Sequence, residues 1–236
     1  MRLLVTRPED DAARTAQELR ARGHKVLLAP LLRIEALSAE LRGPWAAALI
    51  TSANAARAVS VHRRGGDILG LPIFAVGDRS AEAARTAGFT DVMSADGAVA
   101  DLARLVAGRC APRGAPLIYL AGEDRAGDLA GDLAAHGIDV RVVAVYRARP
   151  AEALPGDAAR ALAAGEIDAV LHYSRRSAAT LLRLAEEAQV LNAVLSLAHY
   201  CLSDEVAAPL RERGAGQVRV AASPRETALI DLVGPG

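Results

Sequence analysis

The sequence carries an internal copy of itself. Residues 3–26, LLVTRPEDDAARTAQELRARGHKV, align with residues 117–140, LIYLAGEDRAGDLAGDLAAHGIDV. The alignment brings Glu9, Asp10, Leu19, Gly23 and Val26 onto Glu123, Asp124, Leu133, Gly137 and Val140. Further along, ALITSANAA (48–56) aligns with VLHYSRRSA (170–178), and AVGDRSAEAARTAGFTDV (75–92) with CLSDEVAAPLRERGAGQV (201–218). Blocks repeated in the same order describe two similar modules, and the natural place for a ligand is the cleft between them. A length of 236 residues, 52% of them hydrophobic, is enough to give each module its own core.

Each repeat reads as strand, turn, helix, glycine. Leu3–Val5 is a short apolar strand, and Pro8 fits a first helical turn, where its missing N–H costs nothing. Ala12, Ala16 and Leu19 then fall on one helical face, and Gly23 sits where a left-handed residue ends the helix. Gly88, Gly137 and Gly214 hold the same place after helices expected over 79–87, 124–136 and 204–213. This alternation predicts an α/β protein of two similar parallel-sheet domains. The segments 30–37 and 141–150 are extended and each ends a repeat, which suits a two-stranded bridge between domains. Residues 150–160 read as a surface linker into a helix, and the closing VGPG as a frayed tail.

Composition removes several function classes. The 28 basic and 28 acidic side chains cancel and aromatics are 3% of the chain, so nucleic-acid binding is disfavoured. Cys110 and Cys201 lack CxxC spacing, which argues against a disulfide framework and a zinc site. No apolar run reaches the roughly 18 residues of a membrane span, and MRLLVTRPED reads as a first strand rather than a signal peptide. A cytoplasmic protein is the expectation. There is no GxxxxGK[ST], no dinucleotide glycine spacing and no GxSxG, so metal, nicotinamide and flavin are all unsupported. His24 and His136 adjoin helix-ending glycines and read as favourable helix C-terminal charges, while His172 and His199 lie in apolar runs and read as core. Trp45 is expected to pack before a strand.

In open parallel sheets, ligands bind beyond the carboxyl ends of the strands. The residues placed there are Thr6 and Arg7, Ser52 and Asn54, Ser80, Gly122 and Arg125, Ser174 and Ser177, and Ser203. Such turns offer backbone N–H groups and the positive end of a helix dipole, which suit a ligand with several carboxylates or phosphates. Ser, Thr and Asn also cap helices whatever the function, so the weight rests on the turns taken together. Tyr146, late in the bridging strand, is the one residue singled out as a titratable catalyst. The competing reading is a tyrosine with an apolar body and a wet tip at a domain junction.

The motifs VTRP, GHKVLLAPLLRI, ITSANA, AVGDRSAEAARTAGF, LAGEDR, VVAVYRA, HYSRRSA and ASPRETALIDLV occur in that order between residues 2 and 233. In this set and order the chain resembles the uroporphyrinogen-III synthase family. The resemblance implies two α/β domains joined by a two-stranded β-ladder hinge. One comprises residues 1–33 with 151–236 and the other 37–146, with linkers near 34–36 and 147–150. It implies cofactor-free cyclisation of hydroxymethylbilane to uroporphyrinogen III, with loss of water and inversion of the terminal ring through a spiro intermediate. Tyr146 matches the family tyrosine proposed as proton donor. A monomer is expected, in transient contact at most with the enzyme that precedes it in the pathway. The chain departs from the family pattern at Val206 and Tyr173, which stand where hydroxyl-bearing threonines are usual. The alternative is a non-catalytic, two-lobed binding or sensor protein for a small polycarboxylate.

Overall fold

The apolar runs become parallel strands and the glycine-ended runs become the helices that cover them. The computed structural model describes residues 1–95, 97–125 and 127–236. The chain divides into two units, Met1–Arg33 with Arg149–Gly236, and Ile34–Ala148. The first unit opens with β1 (Arg2–Val5), α1 (Glu9–Ala21) and β2 (Lys25–Leu28), after which β3 (Leu32–Ala36) leads into the second. The second unit holds β4 (Ala48–Ile50), α2 (Ala53–Ser60), a 3-10 turn at Gly65–Ile68, β5 (Ile73–Ala75), α3 (Asp78–Thr86) and β6 (Val92–Ser94). It continues through α4 (Val99–Ala107), β7 (Leu117–Gly122), α5 (Leu129–Ala134) and β8 (Val140–Pro150). Back in the first unit come α6 (Gly156–Ala163), β9 (Ala169–His172), α7 (Arg175–Glu187) and α8 (Leu191–Leu195). The chain ends with β10 (Ala198–Cys201), α9 (Asp204–Glu212), β11 (Gln217–Val220) and α10 (Glu226–Val233).

Among the described residues the first unit's sheet has the order β11-β10-β9-β1-β2, and the second unit's β3-β8-β7-β4-β5-β6. Replacing β2, β1, β9, β10 and β11 by their repeat partners β8, β7, β4, β5 and β6 turns one order into the other. The registers agree residue by residue. Leu4 faces Val170 as Ile118 faces Ala48, and Val170 faces His199 as Ala48 faces Ile73. Likewise His199 faces Val218 as Ile73 faces Val92, and Leu3 faces Val26 as Leu117 faces Val140. The repeats are therefore interleaved: each unit joins the front part of one repeat to the back part of the other.

Side chains alternate between two cores in each sheet, as the strand period of two requires. Leu4 and Val170 join a core with α6, α7 and α9, while Leu3, Val5, Ala169 and Leu171 join one with α1 and α10. In the second unit, Ala48, Ile50, Ile118 and Leu120 pack with α2 and α3, while Leu49, Phe74 and Tyr119 pack with α4 and α5. The inner strands β1, β4, β5, β7 and β9 are covered on both faces, which is why they lack polar alternation. β3 and β8 are neighbours. Leu37 N–H donates to the Val145 carbonyl at 2.8 Å and Ala151 N–H to the Leu31 carbonyl at 2.9 Å, so the two strands run antiparallel.

Gly23, Gly88, Gly137 and Gly214 all have positive φ, between 74° and 104°, as helix-ending residues require. Several expectations are corrected. Pro8 is the N-cap of α1, not a residue of its first turn; its carbonyl accepts from Asp11 and Ala12. The helix expected over 124–136 begins only at Leu129, because Gly127 takes a left-handed φ of 79° and the Asp128 carboxylate caps the Gly131 N–H. The tail does not fray: Gly236 N–H donates to the Arg22 carbonyl at 2.9 Å, and the His24 ring bonds the Gly234 carbonyl at 2.9 Å. His24 is thus buried against the tail instead of standing as a surface charge, whereas exposed His136 does bond back to the Asp132 carbonyl of α5. Trp45 packs before β4 on the α2 side, its indole N–H donating to the Leu41 carbonyl.

Candidate functional site

Both sheets are doubly wound, and in such sheets the ligand crevice opens where the strand order reverses. In the first unit this switch point lies between β1 and β9, and in the second between β4 and β7. The sequence-selected turns fall at these places: Thr6 and Arg7 with Ser174 in the first unit, Ser52 with Gly122 and Arg125 in the second. Ser203 and Ser80 belong to the next turn of each sheet, after β10 and β5.

The second unit's switch point carries Tyr146. A β-bulge sets its direction: Ala121 faces Ala144 but Gly122 faces Tyr146, so β8 holds one residue more than β7 at this point. The extra residue breaks the alternation of β8 and re-aims Tyr146 over the carboxyl end of β7. Gly122 makes room for it, since a Cβ there would lie 2.8 Å from Tyr146 Cζ and 2.9 Å from its hydroxyl. The phenol stands beside the Ser52 side chain. Burial pushes its pKa above 10, and nearby Tyr119 and Asp124 push the same way against the opposing effect of the Ser52 side chain. The group is therefore held as the neutral acid.

Ser52 is the extended N-cap of α2, its Oγ accepting from Asn54 N–H at 3.2 Å. The Asn54 side chain accepts from Arg57 at 2.8 Å, which holds it on the helix surface. Immediately before Ser52, the Thr51 hydroxyl lies 2.7 Å from the Tyr119 hydroxyl. Ser80 is buried in the first turn of α3, and Arg125 is exposed in the loop after β7.

The first unit's switch point is built differently. Ser174 caps α7, accepting from Ser177 N–H at 3.1 Å with its Oγ 2.8 Å from the buried Ser177 hydroxyl. Ser203 caps α9 through Val206 N–H, so Val206 contributes through its backbone although its side chain is apolar. Thr6 is fully buried and donates to the Leu171 carbonyl at 3.3 Å, tying β1 to β9. Arg7 lies only 4% exposed. Its guanidinium bonds Glu226 and Thr15, sits 3.6 Å from Asp11, and stacks 3.9 Å above the Tyr173 ring. Burial first, and Glu226 second, push the Tyr173 pKa up to about 12. The positive charge of Arg7 is thus spent internally, and the residue anchors α10 and α1 to the switch point.

The sequence-selected residues therefore split into those at capped helix starts (Ser52, Asn54, Ser174, Ser177, Ser203), those buried as supports (Thr6, Arg7, Ser80, Gly122), exposed Arg125, and Tyr146. Tyr119 and Glu226 were missed. The repeat alignment held a signal for one of them: it puts Tyr119 opposite Val5 and Thr51 opposite Tyr173, so, besides Tyr146, each switch point receives a tyrosine, from β7 in the second unit and from the turn after β9 in the first. His172 and His199 are core, as expected. His172 Nε2 lies 3.0 Å from His199 Nδ1, and His199 Nε2 lies 3.0 Å from the Val194 carbonyl. Among the described residues no cluster of His, Cys, Asp or Glu could hold a metal ion, and no helix is long and apolar enough to cross a membrane.

Two repeat-related, doubly wound α/β units, with capped helix starts and a phenol at each switch point, form the frame of a small-molecule enzyme. The family model for uroporphyrinogen-III synthase HemD matches residues 13–231, and the chain belongs to that family. It is an enzyme of tetrapyrrole (heme) biosynthesis acting on a small molecule. The fold is similar to that of uroporphyrinogen-III synthetase from Helicobacter pylori 26695, with a TM-score of 0.68 at 18% identity, covering 99% of this chain and 98% of that one. A mutant uroporphyrinogen III synthase from the extremely thermophilic bacterium Thermus thermophilus matches with a TM-score of 0.55 at 18% identity, covering 99% and 97%. No curated protein matches the sequence.

Proposed function

We propose that the protein is a cofactor-free hydro-lyase that cyclises hydroxymethylbilane to uroporphyrinogen III, and that Tyr146 is its acid. The observation that supports this most is the placement of the Tyr146 phenol, kept neutral over the bare Gly122 backbone beside Ser52. Hydroxymethylbilane ends in a hydroxymethyl group. Tyr146 O–H gives its proton to that hydroxyl, the C–O bond breaks, water leaves, and the adjacent pyrrole nitrogen supplies electrons to form an azafulvene. The substituted carbon of the terminal ring attacks the new methylene and forms the spiro intermediate, which then fragments and recloses with that ring inverted. The proton lost as the last pyrrole becomes aromatic returns to the phenolate, which Ser52 stabilises in the interval. One water is lost and nothing is oxidised.

Uncatalysed closure without inversion is chemically easy, so most of the enzyme's task is orientation. Carboxylate side chains of the substrate are held at helix starts: Ser52 and Asn54 on α2, Ser174 and Ser177 on α7, and Ser203 on α9, with Arg125 as an exposed counter-charge. The expected setting is a cytoplasmic monomer in transient contact with the preceding pathway enzyme. Incubation with hydroxymethylbilane, followed by oxidation and chromatography, tests the reading. Mainly type III product supports it; the spontaneous type I product alone refutes it. A positioned acid contributes about 10²–10⁴-fold, so Tyr146→Phe should cut kcat by about 10²-fold or more while the protein stays folded.

A further inference from the structure

At the amino ends of their strands the two units differ in a way the shared fold does not require. In the first unit this end is tied by polar contacts. Arg2 N–H donates to the Asp168 carboxylate at 2.6 Å, and the Arg2 guanidinium bonds Glu166. The His24 ring bonds the Gly234 carbonyl at 2.9 Å, and the Arg219 guanidinium stands 5.7 Å over the Tyr200 ring. The repeat alignment and the strand registers put Pro116, Ala46, Ile138, Met93 and Phe74 at the places of Arg2, Asp168, His24, Arg219 and Tyr200. Apolar side chains thus stand where the first unit makes its polar ties, and they leave the space open. Ala46, Phe74, Met93, Leu117 and Ile138 line a cavity of about 380 Å³ at the lower end of the α4–α5 core, and the chain between Arg109 and Ala115 supplies its other wall.

We propose that this cavity is a second binding site, at the opposite end of the sheet from the switch point, for a small amphipathic amine: its apolar ring lies on Phe74, Leu117 and Ile138 and its ammonium group meets Asp139. The volume is near the lower end of the roughly 300–1,000 Å³ of small-molecule pockets, which suits one ring with a short arm. The charges select the sign. Helix α4 ends at Ala107, two residues before Arg109 of the wall, so a helix carbonyl end, which favours cations, adjoins the cavity. Asp91 and Arg109 carry opposite charges at the β6 end, where the Arg109 guanidinium lies 3.6 Å from Met93 Sδ. Asp139 lines the β8 end, four strand spacings or about 19 Å from Asp91. It has no ion-pair partner among the described residues. Half-buried Cys110 faces the same space, and burial pushes its thiol up, so it adds no charge of its own.

The test uses the full-length protein with Cys110 as reporter. Methyl methanethiosulfonate should modify Cys110, read by peptide mass spectrometry, and leave fully buried Cys201 untouched. Benzylamine, benzyl alcohol and benzoate share a ring and differ in charge. At about ten times its Kd, benzylamine leaves about one site in eleven open and should slow Cys110 modification about tenfold. Benzyl alcohol should need a concentration about 2–5-fold higher for the same protection, the worth of one partly exposed ion pair, and benzoate should protect least. Asp139→Asn should erase the difference between benzylamine and benzyl alcohol, and Ala115→Trp, at the exposed rim, should abolish protection by all three. The proposal is overturned if benzylamine gives no protection, if benzyl alcohol or benzoate protects as well, or if either variant leaves the parent pattern intact. If a variant fails to fold, the order of the three probes on the parent protein decides. No step uses hydroxymethylbilane, so the outcome is independent of the reading of Tyr146 as the acid.

Discussion

Gly122→Ala is the smallest change that reaches the proposed chemistry. The added methyl would meet Tyr146 Cζ at 2.8 Å, the hydroxyl at 2.9 Å and Cε2 at 3.1 Å, against ordinary carbon contacts of about 3.5–4.0 Å. The ring must therefore withdraw by about 0.5–1 Å. Gly122 has no left-handed φ, so the backbone accepts alanine without strain and the effect isolates the ring. Displacements of this size cost up to about 10²-fold in rate, and overpacking costs about 1–3 kcal/mol in stability. The assay is kcat for type III formation alongside urea unfolding, in four backgrounds: parent, Gly122→Ala, Tyr146→Ala and both. Tyr146→Ala removes the ring that the methyl strikes, so Gly122→Ala should lose most of its stability penalty there and add no further loss of rate. Full activity in Gly122→Ala, or an undiminished penalty in the Tyr146→Ala background, would refute the steric reasoning.

The two capping serines should separate. Ser52→Ala loses an N-cap that stands beside Tyr146, whereas Ser174→Ala loses an N-cap and its contact with Ser177. Each should cost about 0.5–2 kcal/mol in unfolding experiments, but Ser52→Ala should lower kcat where Ser174→Ala chiefly raises KM. Acid should also weaken the first unit. Burial lowers the pKa of His172 well below 6.5, with neighbouring His199 adding to the effect, and burial lowers His199 as well. Between these depressed values and 6.5 the unfolded chain binds protons that the folded chain refuses, so stability falls with pH through that window. The slope should approach about 1.4 kcal/mol per pH unit for each imidazole, and urea midpoints across pH 5–7 should flatten in His172→Leu/His199→Leu.

Local chemistry explains what the sequence made legible. The helix-ending glycines were readable because each needs a left-handed φ, and the alternation of apolar runs with helical faces carried the α/β class. The repeat alignment held down to strand register, since a slip by one residue would turn every side chain to the wrong core. Legibility failed where distant chain segments meet. Arg7 reads as an exposed turn cation, but Glu226 on the last helix and Asp11 on the first draw it inside. Gly122 reads as a turn glycine, yet its role depends on a bulge in β8 that no local pattern announces. The tail looks free until His24 and Arg22 are seen to receive it. Tyr146 and Ser52 could each be singled out as residue types, whereas their meeting at one switch point came from the sheet order.

The interleaving of the repeats dictates an order of assembly. The second unit is one continuous stretch, Ile34–Ala148, and can complete its sheet as soon as that stretch has been synthesised. The first unit cannot: β1 lies inside its sheet and must wait for β9, more than 160 residues later, before both of its edges are paired. The opening β1–α1–β2 segment thus spends most of translation as an unfinished edge, and a ribosome that stalls midway leaves a finished lobe carrying a sticky half-lobe at its front.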